Sequence, residues 1–408
     1  MPLRNMFVRS FGLLVLLTAA GSGAAQAQQT IRIGASLSQS GSFANLGQNR
    51  LRAYQLCIKE TNEKGGVLGR KLELIVEDDQ SSAKSAAEIY EKLITQDKIN
   101  VVLGPYSSPI TDAVADVTEK HKLPLLALAA TASMYKKGRR FIFMVPPPAE
   151  VFLEGLMDIA AKRGLKTVAM VYEDTLFPKT TAQGALDLAK KKGLQVVRAE
   201  AYTKGQTDFA SLLTRIWEAK PDVLAAATYF DDAVAIARQM RPLSVNVKMF
   251  GVTVGGDLPK FQETLGKDAE FVYGASQWEP ELVTLRAGGL VPIARQYPGA
   301  REFVETYQKE FPGADISYHS ASGYAGCQIL MEAIRRAGSL DGEKLRDVIL
   351  RMDLHTVFGG FRVDANGVQT AQKMVLFQWQ DGKKAIVWPE DLAPDRPRFP
   401  TPPWSQRR

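Results

Sequence analysis

The chain has 408 residues, 45% of them hydrophobic and 23% charged, a composition typical of a folded globular protein with about two domains. Its formal net charge is +7, but residues 1–27 carry +2 of this and residues 393–408 carry +3, which leaves +2 on the rest. Because that excess is small and no basic stripe with interleaved aromatic residues occurs, nucleic acid is not expected as a partner.

The first 27 residues have the pattern of an export signal. Arg4 and Arg9 precede a short apolar run over residues 11–20, and the small residues Ala25 and Ala27 follow it. This pattern predicts a secretory signal peptide cleaved after Ala27. The apolar run has about half of the ~20 residues that a membrane span needs, so an anchor is disfavoured. No cysteine follows the cleavage point, so a lipoprotein is not expected either. We therefore expect a periplasmic protein.

Strands and helices alternate through the next part of the chain. Apolar runs predict strands at residues 31–38, 71–79, 100–104 and 123–130, with helices at 45–64, 82–96 and 109–120 between them. Three consecutive prolines, Pro146–Pro148, then mark a stiff connection. After it come helices at 151–162, 181–192, 208–219 and 232–240, and strands at 167–174, 194–202, 222–230 and 247–252. This alternation predicts parallel sheets covered by helices on both faces.

The last part of the chain is less regular. Helical patterns at residues 301–310 and 322–336 precede two short strand patterns, at 358–367 and 373–383, with a tight-turn signal at Asn366-Gly367. This part is too small for a third lobe. The chain is therefore expected to cross again between the two lobes that the preceding strands and helices form. The Pro-rich residues 393–408 are expected to be an extended or disordered tail. The two cysteines, Cys57 and Cys327, lie in helical patterns, and either a disulfide or two buried thiols is compatible with the sequence.

Motifs for catalysis or for tightly bound cofactors are missing from the sequence. The three histidines are scattered, and no CxxC, HExxH, GxSxG or P-loop pattern occurs. Adjacent acids such as Asp78-Asp79 and Asp231-Asp232 are more typical of loops and helix starts than of a catalytic pair. We therefore expect no metal, no cofactor and no enzymatic activity.

Hydroxyl groups follow two neighbouring strands where an open α/β sheet binds its ligands. Ser108 is placed as the N-cap of the helix that begins with Pro109, and the free N–H groups there suit a carboxylate. Ala129 and Thr131 end the next strand, where small residues allow a ligand to approach the backbone. Ser108 has two open roles, namely to cap its own helix only, or also to donate to a ligand.

Aromatic residues are predicted at the corresponding strand ends and loops. Tyr106 and Phe43 lie in the first half, and Phe177 and Tyr229 lie in the second half. A polar rim that faces an aromatic wall suits a small amphiphilic acid.

Several segments resemble the periplasmic leucine/isoleucine/valine-binding protein family, the solute receptors of branched-chain amino acid ABC importers. The similarity runs from Ile31 to about Trp388 and is carried by these segments: INVVLGPYSSPITDAV, NEKGGVLGRKLELIVEDDQSSAKSA, LPLLALAATAS, GQTDFASLLTRIWEAKPDVL and FGGFRVDANG. The resemblance implies an α/β type I periplasmic binding protein fold, with two doubly wound Rossmann-like lobes joined by three hinge crossovers. Lobe 1 would comprise residues 28–145 and 278–358, and lobe 2 residues 146–277 and 359–392. The crossovers would fall near residues 143–148, 273–277 and 358–361.

The resemblance also implies roles for particular residues. The ligand carboxylate would be held by Ser108, the backbone of Ala129, and Thr131, and the second lobe would contribute Tyr229 and Phe177. Amino-acid binders of the family carry an acid, which pairs with the ligand ammonium, where this chain has Val254. Asp257 and Asp231 are possible substitutes, and Leu46 replaces a family aromatic residue. An aromatic or aliphatic carboxylate is therefore an alternative to a branched-chain amino acid.

The function implied is that of an exported solute receptor. It would bind a small carboxylate between the lobes as a monomer and deliver it to a membrane permease with a separate ATPase subunit. The alternative is a ligand-sensing receptor module of the same fold.

Overall fold

The computed structural model describes residues 30–284 and 295–407. The export signal expected over residues 1–27, with its cleavage after Ala27, lies outside the described residues. Within the two described ranges, no helix is both long and apolar enough to cross a membrane.

Strands and helices alternate as the hydrophobic pattern indicates. The strands are β1 (Ile31–Leu37), β2 (Leu72–Asp78), β3 (Val101–Val102), β4 (Leu125–Ala127), β5 (Ile142–Met144), β6 (Thr167–Glu173), β7 (Gln195–Tyr202), β8 (Val223–Ala227), β9 (Met249–Val252), β10 (Val272–Ser276), β11 (Leu354–Thr356), β12 (Gly359–Phe361), β13 (Val375–Gln380) and β14 (Lys383–Trp388). The helices are α1 (Ala44–Glu63), α2 (Ala83–Thr95), α3 (Ser108–Lys120), α4 (Glu154–Lys162), α5 (Leu176–Lys191), α6 (Ala210–Glu218), α7 (Phe230–Met240), α8 (Pro259–Leu265), α9 (Glu281–Thr284), α10 (Ala300–Glu310), α11 (Tyr318–Ala337) and α12 (Gly342–Leu350).

The first lobe is built on short parallel strands. Strand β1 lies between β2 and β3, and β4 pairs with β5, all in parallel. Helix α11 returns from late in the chain and packs along α1. A disulfide between Cys57 of α1 and Cys327 of α11 joins the two helices. Of the two states that the sequence allows for these cysteines, the structure therefore has the disulfide.

The second lobe carries one larger sheet of strand order β14-β13-β10-β9-β8-β6-β7. Strands β6 to β10 run parallel, and every residue of β8 is buried, as expected for a strand covered by helices on both faces. The hairpin β13–β14 adds an antiparallel edge. The α/β fold with mostly parallel sheets confirms the predicted fold class.

The chain passes between the lobes after β5, after β10, and in the segment that joins residue 358 to β13. Two buried glutamine side chains tie these crossing segments together. The Gln369 amide donates to the carbonyl of Val145, and the Gln372 amide donates to the carbonyls of Gln277 and Phe358. Each of these amides therefore links the third crossing segment to one of the other two.

The Pro-rich tail is extended, as predicted, but it is packed against the second lobe. Thr401 donates its N–H to Lys248, and the buried Trp404 indole donates to the carbonyl of Val245. Arg407 stacks on the Trp404 ring, with its guanidinium carbon 3.5 Å from the ring centroid. Of the two alternatives, an extended or a disordered tail, the structure has the extended one for residues 393–407, held by an aromatic anchor and backbone hydrogen bonds.

Several helices begin earlier than the pattern predicts, and three of them bear on the site. Helix α3 begins at Ser108, so Ser107 rather than Ser108 is its cap residue. Helix α5 begins at Leu176 instead of residue 181, because Pro178 lies in the first turn, where its missing N–H costs no hydrogen bond. Helix α11 begins at Tyr318 instead of Ser322, and its first turn is buried on all sides, which removes the amphipathic period.

Candidate functional site

A small cavity of about 30 Å³ lies between the lobes, at the carboxyl ends of β3, β4, β8, β9 and β10. This volume holds one or two waters, so a solute enters only if the lobes part or the lining side chains move. Six of the eight residues predicted for the site line the cavity: Tyr106, Ser108, Ala129, Phe177, Tyr229 and Val254.

The other two predicted residues lie beside this cavity. Thr131 follows Ala130, which lines it, and Thr131 is fully buried. Phe43 is 4% exposed, and its ring centroid lies 5.3 Å from that of Tyr106. The structure thus places six of the eight positions at the cavity wall and the other two beside it.

The wall formed by the first lobe offers hydroxyl groups that lack partners. The buried hydroxyls of Ser107 and Thr131 have no hydrogen-bond partner among the described residues. Ser107 is the cap of α3 but its side chain makes no capping bond, so the first N–H groups of that helix are also available. An unpartnered buried hydroxyl costs about 1–3 kcal/mol. A bound carboxylate would satisfy these groups.

The backbone at Ser107 supports the same interpretation. Its φ of 71° and ψ of 150° lie in a region that is almost exclusive to glycine. Non-glycine residues held there cost about 1–3 kcal/mol and cluster at ligand sites. The surrounding structure therefore imposes a conformation that Ser107 would not adopt by itself.

Aromatic rings close the cavity from both lobes. The ring of Phe43, in the first lobe, lies 4.9 Å from that of Tyr229, in the second. Phe177 lies 5.9 Å from Tyr229 and 5.0 Å from Phe152. Phe177 and Tyr229 were predicted at loop tips, but Phe177 lies in the first turn of α5 and Tyr229 caps α7. The direct contact between Phe43 and Tyr229 identifies this as a closed arrangement of the lobes.

No acidic side chain lines the cavity within the described ranges, and Val254 does line it. Of the two acids that could replace the family's partner for a ligand ammonium, Asp231 is exposed and Asp257 is fully buried. The Asp257 carboxylate accepts the N–H of Gly255 and interacts electrostatically with Lys384. Asp231 therefore cannot reach an enclosed solute, and Asp257 lies outside the cavity lining, with its Oδ2 lacking a hydrogen-bond partner among the described residues.

Lys384, Asp257 and Glu279 form a buried charged cluster behind this part of the second lobe. The Lys384 ammonium pairs with Glu279 and donates to the carbonyl of Asp257, 3.2 Å away. Burial raises the pKa of both carboxyls, and the nearby Lys384 ammonium offsets only part of this shift. The cluster thus favours retaining a proton.

Eight residues of the cavity wall were not predicted as site residues, and Arg50, Tyr318 and His319 are among them. Arg50 is 3% exposed, and its guanidinium donates to the carbonyls of Pro105 and Leu128. His319 is 1% exposed, and burial holds its pKa well below the usual value, so the ring is neutral. Neither ring nitrogen of His319 has a partner in the described part of the chain.

A signal for Arg50 was present in the sequence. Arg50 is four residues from Leu46 and from Tyr54, so it lies on the apolar face of α1 that the periodicity defines. A charged residue on a buried face requires a partner or a function. Tyr318 and His319 had no comparable signal, because their turn of α11 is buried on every side.

The side chains at this site suit binding rather than catalysis or metal coordination. They are hydroxyls, amides, rings, a neutral imidazole and one guanidinium. Among the described residues, no cluster of three or more His, Cys, Asp or Glu side chains is arranged to hold a metal ion.

Comparison with known proteins gives consistent matches over nearly the whole chain. A family model described as periplasmic binding protein matches residues 30–384. The Leu/Ile/Val-binding protein homolog 7 of Brucella suis biovar 1 (strain 1330) is 27% identical over 395 residues, covering 93% of this chain and 96% of that protein.

Solved structures share the fold. The branched-chain amino acid transporter substrate binding protein LivJ of Streptococcus pneumoniae, in complex with isoleucine, has a TM-score of 0.77 at 22% identity, covering 88% of this chain and 99% of that one. An ABC transporter solute binding protein of R. palustris, in complex with benzoate, has a TM-score of 0.75 at 17% identity, covering 88% and 96%. These relatives are solute-binding proteins, not enzymes, as the sequence predicted. With its family model matched over residues 30–384 and with this fold, the chain belongs to the periplasmic binding protein family.

Proposed function

We propose that this protein is the solute-binding component of an ABC importer and takes a small carboxylate into the cleft between its lobes. The observation that carries this proposal is the group of unpartnered hydroxyls at the start of α3 and after β4. Ser107 and Thr131 lack hydrogen-bond partners within the described residues, beside free N–H groups of a 13-residue helix. Such a helix start stabilises a negative charge.

The carboxylate would bind Ser107, Ser108, the backbone at Ala129, and Thr131. The body of the solute would lie against Phe177 and the other rings. A branched-chain amino acid and an aromatic or aliphatic acid both fit this description, and the two structural relatives are in complex with one of each.

Binding would be coupled to movement of the lobes about the three crossings. We propose residues 28–145 with 278–358 as one moving body, and residues 146–277 with 359–392 as the other. The closed form would be delivered, as a monomer, to a permease with a separate ATPase subunit. Export to the periplasm is typical of the family, and cleavage after Ala27 remains our prediction.

Binding of a panel of acids, measured by thermal shift and then by calorimetry, tests the proposal. Leucine, isoleucine, valine, benzoate and branched aliphatic acids form the panel, since ligand binding to the folded state raises the melting temperature. Ser108→Ala should weaken the tightest binder by about 1–3 kcal/mol. Ser133→Ala, at an exposed position after β4, is the matched control and should have no effect.

A panel in which no carboxylate stabilises the protein would contradict the proposed function. Unchanged affinity in Ser108→Ala would limit Ser108 to a structural role at the start of α3.

A further inference from the structure

Arg50 is a buried cation at the wall of the cleft, and the described part of the chain offers it no anionic partner. Among the described residues it forms no ion pair, and its Nε has no hydrogen-bond partner. Its guanidinium carbon lies 4.9 Å from the centroid of the Tyr106 ring, which also lines the cavity. The groups that influence it electrostatically are the phenols of Tyr54, Tyr106 and Tyr318, not carboxylates.

A purely structural role does not explain the charge. The two terminal nitrogens of Arg50 lie 3.3 Å from the Pro105 carbonyl and 3.1 Å from the Leu128 carbonyl. These contacts hold the strand ends that lead to Ser107 and Ala129. A neutral donor would serve the same carbonyls at a lower desolvation cost. The positive charge is therefore the feature that requires a partner.

The other residues that line the cavity offer no compensation. Within residues 30–284 and 295–407, Arg50 is the only formally charged side chain at the wall, because His319 is neutral. A solute with one negative charge would balance the cavity. A zwitterionic amino acid would leave the net charge at +1 and place an ammonium beside a guanidinium.

Asp257 is the acid that could oppose this conclusion. It is close enough to influence Tyr106 and Tyr318 electrostatically. It does not line the cavity, however, and it shares its surroundings with Lys384. In the second lobe, Asp232 turns its carboxylate to the N–H of Tyr229, 3.4 Å away, at the start of α7.

We infer that the solute is a net anion that lacks an ammonium group, and that Arg50 is the residue that selects it over zwitterionic amino acids. This inference rests on the proposed carboxylate site and specifies its substrate class as desamino acids with an apolar body. The carboxylate lies at the start of α3, and the Arg50 guanidinium, behind Tyr106, supplies the balancing charge.

Matched ligand pairs test the inference in the full mature protein. Leucine, 4-methylpentanoate and 4-methylpentanamide share a carbon skeleton and differ in charge, and benzoate with benzamide forms a second pair. Calorimetry on the wild type should show the acids binding at least about 10-fold more tightly than leucine and than the amides. Leucine and the amides carry no net negative charge, so their binding leaves the buried Arg50 cation unbalanced.

Variants at position 50 separate charge from structure. Arg50→Gln keeps a donor but removes the charge, and it should reduce the preference for acid over amide by about 10-fold or more. Arg50→Lys restores the charge and should recover most of that preference. Arg52→Gln, on the same helix, is the control and should leave it unchanged. Melting curves of the unliganded variants identify any that do not fold, and if Arg50→Gln is one of them, the acid, amide and amino acid affinities of the wild type carry the test.

The outcomes distinguish this inference from the function on which it rests. The inference would be overturned, and the carboxylate site left intact, if leucine, isoleucine or valine bound as tightly as the acids and lost that binding in Asp257→Asn. Equal loss of acid and amide binding in Arg50→Gln would also overturn it. Failure of every acid and amino acid to bind would remove the proposed function and the inference together.

Discussion

Replacing Cys57 and Cys327 together by alanine should lower the free energy of unfolding by about 2–5 kcal/mol. The disulfide joins positions separated by 270 residues. For a loop of that length, the chain-entropy relation gives about 5–6 kcal/mol at 25 °C, and measured effects are commonly smaller. The enclosed segment contains all of β6 to β10, so the bond restricts the unfolded chain across both lobes.

Urea unfolding followed by circular dichroism measures this effect. Because the two cysteines are 3% and 0% exposed, their removal also leaves a small cavity, which adds its own cost. Wild-type protein that has been unfolded, reduced and kept in reductant retains both sulfur atoms and is the control for that cost. The slope of free energy against urea should also increase, because an unfolded chain without the bond exposes more surface.

Equal urea midpoints for the oxidised and the reduced wild type would contradict the predicted stabilisation by the disulfide. An effect seen only in the alanine variant would assign the loss to packing rather than to the covalent link.

Three further changes have defined expected results. Phe43→Ala should speed solute dissociation, measured by stopped-flow fluorescence, because opening of the lobes would no longer break the contact between Phe43 and Tyr229. That contact is worth about 0.5–1.5 kcal/mol. An unchanged dissociation rate would contradict the role of Phe43 in holding the lobes closed. Ser107→Gly should raise the melting temperature of the unliganded protein by relieving about 1–3 kcal/mol of backbone strain. The same variant should bind the acid more weakly in calorimetry. A lower melting temperature would refute the inference that Ser107 is strained. Burial raises the pKa of Glu279 to about 8, above an unfolded value of about 4.3, so its contribution to stability is present below about pH 4 and is lost as the pH rises through 8. Glu279→Gln should therefore make stability, measured by urea unfolding, fall less between pH 5 and pH 8, and an identical decline in the variant would refute this assignment.

The arrangement of the site followed from local chemistry that the sequence displays. Parallel strands place their carboxyl ends at one edge of a sheet, so Ser108 and Ala129 were expected at one edge of the first lobe and Tyr229 at the corresponding edge of the second. The resemblance to the family, now confirmed by the family model over residues 30–384, assigned them to a cleft. Hydrophobic periodicity located the helices, although their first turns were less well predicted.

The missed features depend on tertiary packing. The first turn of α11 is buried on all sides, so its hydrophobic pattern has no period and His319 gave no signal. The disulfide depends on α1 and α11 packing together across most of the chain length, which no local pattern specifies. Arg50 differs, because the local sequence alone shows that it lies on the apolar face of α1.

The anchored tail gives this protein a convenient attachment point for biophysical measurement. Trp404 and Thr401 are held beside Val245 and Lys248, before β9 begins, whereas Val254 meets the cavity beyond the other end of that strand. A dye attached through Ser405→Cys, at an exposed position, would travel with the second lobe and stay clear of the bound molecule. With a second dye on the first lobe, energy transfer between the two would report each opening event in single molecules.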